Sequence, residues 1–74
     1  MTNEEKIIAL EEMMDLEHGS ITSDTMLSDL EDWDSVAFLS FIALLDDEFD
    51  KQIQGSVIRQ QKTVGDLMRL MEKE

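Results

Sequence analysis

A chain of 74 residues has room for one small domain with a thin core and no deep catalytic cleft. Its net charge of −12 argues against nucleic acid and anionic membrane surfaces as partners, and the lack of cysteine excludes disulfides and thiolate metal sites. A hydrophobic share of 42% beside 32% charged residues fits a folded domain rather than an acidic disordered tail.

The acidic start reads as no signal peptide, and no apolar run approaches the length of a membrane span. A cytoplasmic monomer is the expectation. Charge is unevenly spread. Between Lys6 and Lys51 there is no lysine or arginine, while thirteen acids fall in that interval. The other cations are Arg59, Lys62, Arg69 and Lys73. A surface so biased keeps the chain soluble and also attracts basic partners, mainly by raising association rates.

In chain order, Thr2 with Glu5 forms a capping-box start. Ile7, Leu10 and Met14 recur at helical spacing, with Glu4, Glu5, Glu11, Glu12 and Asp15 on the polar side. This predicts helix one over residues 3 to 17, stopped by Gly19, with His18 in the last turn where a cation suits the dipole. Residues 20 to 34 read as a long connection. Loops of that length in small domains carry function or internal structure. Ile21, Met26, Leu27, Leu30 and Trp33 are the residues expected to pin it, and Thr25 to Asp29 can wind into one turn.

Asp34 is a good helix N-cap, since its carboxylate accepts the orphan N–H groups of a first turn. That places Ser35 at the first helical position, where an attached anion would meet the positive end of the helix dipole. Helix two is predicted from Ser35 to about Phe49, apolar enough to be central in a bundle. Its last turn carries Asp46, Asp47 and Glu48, which oppose the dipole. Helix propensity does not explain them; docking to a cationic partner does. Gln61 closes a polar stretch in which a short helix is expected near Ser56 to Gln60. Thr63 and Asp66 open a final helix that ends near Glu72, with Val64, Leu67, Met68 and Met71 inward. The reading is a single domain over 1–74: all-α, a small antiparallel bundle of three main helices and one short one, with a long loop between helices one and two.

Catalytic readings lack parts. A serine hydrolase needs a base, and the single His18 lies on another element with no orienting partner. A calcium loop wants glycine at its sixth position and glutamate at its twelfth. Counted from Asp24 or Asp29, those positions hold Asp29 or Asp34, then Ser35 or Ser40. No catalytic residue and no metal ligand set is therefore assigned.

Trp33-Asp34-Ser35-Val36, the run from Leu39 to Phe49 and the late Thr63-Val64-Gly65-Asp66-Leu67 together resemble the acyl carrier protein family over nearly the whole chain. The resemblance implies that Ser35, preceded by Asp34, carries a 4'-phosphopantetheine arm placed there by a phosphopantetheinyl transferase. It implies an acyl or aminoacyl cargo held as a thioester, a loading ligase, and a downstream transferase or synthase. Val36, Ala37, Ser40, Asp46 and Asp47 then fall at positions facing partner enzymes. Positions 37 and 40 are typically acidic in the fatty-acid-synthesis carriers, and Phe38 replaces a smaller residue near the mouth of their acyl pocket. These departures point to a carrier of a specialised pathway with short or polar cargo. The competing reading is an unmodified acidic adaptor or inhibitor that binds basic partner surfaces.

Overall fold

The structure, a computed structural model, describes residues 2–72, so Lys73 lies outside the described residues. It contains helices α1 (Asn3–Met13), α2 (Ser35–Phe49), α3 (Gly55–Arg59) and α4 (Val64–Leu70), and no strand among the described residues. One 3-10 turn, Leu27–Asp29, lies in the long connection, within the span expected to wind. The all-α bundle with its long loop after α1 is thus as the apolar pattern predicts. α2 starts and ends at the expected residues, and α3 lies one residue earlier than expected.

Thr2 and Glu5 bond each other's backbone, the expected capping box at the start of α1. The other end differs from expectation. α1 stops at Met13, four residues short of residue 17, because Asp15 turns left-handed at φ 57°. Gly19, at φ 90°, serves a later turn rather than the helix stop. His18 faces Glu12 across 3.4 Å at the surface.

α1 packs against both α2 and α4. The core takes Leu10 and Met14, a stripe of Ala37, Phe41, Leu45 and Phe49 on α2, then Ile58, Val64, Leu67, Met68 and Met71. Spacing of four along α2 puts that stripe on one face. The opposite face is left bare: Val36 is 70% and Leu39 64% exposed. α2 is therefore half covered rather than central, because a chain this short has too few helices to surround it. In the connection, Ile21 and Leu27 are buried and Trp33 is half-buried, but the Met26 side chain is exposed, and Met26 ties the loop through a backbone bridge to Thr63.

Two carboxylate arrangements hold the loop and chain ends. Glu11, expected on the polar side, is 1% exposed. Its Oε2 accepts the backbone N–H groups of Gly19 and Ser20, both at 2.8 Å, and of Ile21 at 3.3 Å. Lys6 is also buried, its Nζ 3.6 Å from Glu72 Oε1, which draws the start of α1 to the end of α4.

The motif Thr63-Val64-Gly65-Asp66-Leu67 has a physical reading residue by residue. Thr63 and Asp66 form a reciprocal capping box, and Val64 and Leu67 are fully buried. The backbone N–H groups of Lys62 and Thr63 hold the Asp66 carboxyl below its usual 3.8. That cap therefore contributes stability present above the ordinary carboxyl value and lost as pH falls through the lowered one. Gly65 N–H donates to Ser23 O at 2.8 Å, beside a Val64 N–H to Thr25 O bond and a Leu27 N–H to Lys62 O bond. A Cβ on Gly65 would stand 2.9 Å from that Ser23 oxygen. Gly65→Ala is expected to lower unfolding free energy by about 1–3 kcal/mol through this overpacking, read from urea midpoints. A loss under about 0.5 kcal/mol would show that Ser23 moves aside freely.

Candidate functional site

The candidate site lies at the start of α2, around Ser35. Asp34 has extended backbone (φ −108°, ψ −170°), and its Oδ1 accepts the Ala37 N–H at 3.0 Å. The cap fixes where the helix begins, so Ser35 is held at the first position with its side chain exposed. Trp33 anchors the approach, packing edge-on against Phe38 at 6.4 Å and Phe41 at 5.9 Å between ring centroids.

Ser35 opens onto a shallow pocket of about 280 Å³ lined by Trp33, Asp34, Ser35, Phe38 and Arg59. Phe38 forms its apolar wall. The ring sits against Gly55, where a Cβ would come within 2.9 Å of the ring edge. Arg59 lies over the same ring, its guanidinium carbon 5.0 Å from the centroid. A hydroxyl, an aromatic wall and a cation thus meet in one place. The Asp34 carboxylate in this group is engaged through Oδ1 by the Ala37 N–H.

The expected partner-facing residues separate. Val36 is the most exposed apolar side chain of the first turn, and Asp46 and Asp47 are exposed at the far end of α2. Ser40 is half-buried and lines an open groove with Ala9, Met13, Ala43, Leu44 and Asp47. Ala37 is corrected: it is 3% exposed, because it heads the buried Ala37–Phe41–Leu45–Phe49 stripe, and it offers a partner no surface. Leu39 takes its place on the exposed face. None of the ion pairs among the described residues uses Asp46 or Asp47. No cluster of metal-ligating side chains occurs among the described residues, and no described helix is long and apolar enough to cross a membrane.

The sequence did not single out Arg59, which lines the pocket at Ser35, or Leu39, which lies on the exposed face of α2. Arg59 meets Phe38 across 21 positions of chain, a contact no local pattern encodes. Leu39 belonged to a mostly apolar run in which nothing marked it as exposed.

A family model described as "phosphopantetheine attachment site" matches residues 7–71. No curated protein and no solved structure gives a significant match.

Proposed function

Because the chain belongs to the phosphopantetheine attachment-site family, a family of carriers, we propose that Ser35 is the residue bearing its covalent 4'-phosphopantetheine arm. The observation that carries this is the exposed Ser35 hydroxyl at the capped start of α2, opening onto a pocket that also holds a cation. The donor set suits the group: a phosphodiester on Ser35 would meet the Arg59 guanidinium and lie beside the Trp33 and Phe38 rings. When bound, the arm supplies a terminal thiol that holds cargo as a thioester.

The chain's own part is placement. Asp34 fixes the helix start, and Trp33 ties the preceding loop to Phe38 and Phe41. Ser35 Oγ is thereby presented to a phosphopantetheinyl transferase, which brings the base and the magnesium. Val36, Leu39, Asp46 and Asp47 form the face offered to loading and downstream enzymes, apolar near the serine and acidic farther along. We read the chain as one carrier domain with no catalytic activity, working in the cytoplasm as a monomer. Incubation with coenzyme A and a broad-specificity transferase tests the assignment by intact mass. A gain of one phosphopantetheine supports it, and no gain favours the acidic adaptor.

The cargo reading remains short or polar acyl, or aminoacyl. Phe38 supports it: the ring fills the space between Trp33 and Gly55 and is covered by Arg59. Loading with acyl chains of increasing length is expected to change the melting temperature by under about 4 °C, the shift that 1 kcal/mol produces in a domain this small. Stabilisation growing steadily with chain length would overturn the short-cargo reading.

A further inference from the structure

Arg59 is one of six lysines and arginines set against eighteen acids and, like Lys51 and Lys62, enters none of the ion pairs among the described residues. Lys6, His18 and Arg69 make those pairs. Arg59 instead lies over the Phe38 ring at 5.0 Å and lines the pocket that Ser35 opens onto. Asp34 shares that pocket and is not within ion-pair distance of Arg59; its Oδ1 is engaged by the Ala37 N–H.

A guanidinium stacks on an aromatic face while keeping its edge donors free, and those donors match the oxygens of a phosphate. Phe38 is held on its other sides by Trp33 and by the backbone at Gly55. The platform under Arg59 is therefore set before any ligand arrives. An anion on Ser35 would also stand next to the Asp34 carboxylate, and in this pocket Arg59 is the group that offsets that repulsion.

We propose that Arg59 is a positioning residue that clasps the phosphodiester on Ser35, so the root of the arm lies along the pocket between α2 and α3 rather than in solvent. This rests on Ser35 being the attachment residue. The clasp bends the arm's first bonds toward α3 and leaves the cargo end free. It is charge-based and partly exposed, so salt weakens it.

The test uses the full chain before and after loading from coenzyme A, with intact mass confirming the loaded state. The Arg59 Nε–H resonance is expected to move on loading and to return toward its unloaded position near 1 M salt, where the Debye length is about 3 Å. In loaded Arg59→Gln, the 31P transverse relaxation rate is expected to fall by about a third, the ratio separating a rigid from a flexible group. Arg59→Lys keeps the charge without the fork and should fall in between. A mass gain with an unmoved Arg59 resonance, or an unchanged 31P rate in Arg59→Gln, overturns the clasp alone. No mass gain overturns the Ser35 assignment and the clasp with it.

Discussion

Ser35→Ala is expected to abolish arm attachment completely: intact mass after incubation with coenzyme A and transferase stays that of the unmodified chain. The loss is chemical rather than structural. Ser35 is exposed and makes no side-chain hydrogen bond among the described residues, so alanine at this first helical position should change stability by no more than about 0.5 kcal/mol. Melting curves of the two proteins should therefore superimpose while their masses differ. Asp34→Ala gives the complementary case, costing about 1 kcal/mol through the lost cap. Other hydroxyls serve as internal controls. Ser23, Ser28 and Ser56 are also exposed, and Ser40 lies half-buried on the same helix. A mass gain that persists in Ser35→Ala would place the arm on another hydroxyl, these or the exposed Ser20, and overturn the assignment.

Glu11→Ala is expected to destabilise the fold by about 3 kcal/mol, a loss on the scale of a core truncation. The carboxylate accepts three backbone N–H groups through Oε2, and charge-assisted bonds contribute about 1.5–3 kcal/mol each without adding fully. Alanine strands the Ile21 N–H in the core and opens a cavity beneath the loop. At roughly 0.05–0.15 kcal/mol per residue, a chain of 74 residues has about 4–11 kcal/mol in all. The variant should therefore unfold at much lower urea. Glu11→Gln keeps an acceptor oxygen but loses the charge, and should cost less, about 1–2 kcal/mol. Equal midpoints for wild type and Glu11→Ala would mean that water satisfies the Gly19–Ile21 backbone equally well, and the anchor would have no role.

What the sequence made readable was local. Asp34 before Ser35, Thr2 with Glu5 and Thr63 with Asp66 are cap patterns spanning four residues or fewer, and each forms as read. The serine at the start of α2 stood out for the same reason. Glu11 was misplaced on the polar side, although its position carried a signal: it lies four residues after Ile7 and three before Met14, inside the apolar stripe. A charge there implies a buried partner, and the partner is backbone eight to ten residues on. The early end of α1 follows from that same contact, since the chain must turn at Asp15 to bring Gly19 back to Glu11. That Ala37 is buried and Leu39 exposed was not legible, because the mostly apolar first turns of α2 do not say which side their neighbours cover. Arg59 depended on a contact with Phe38 that only tertiary packing creates.

The Lys6–Glu72 contact brings the entry and exit of the described chain to one spot. None of the residues lining the pocket beside that spot lines the pocket at Ser35. Any segment joined before Thr2 or after Glu72 would leave from the same place. A tether fused to either end, or a short linker closing the chain into a ring, would share that anchorage. The point from which the domain is held and the serine proposed to bear its arm thus belong to pockets that share no residue, whichever end carries the leash.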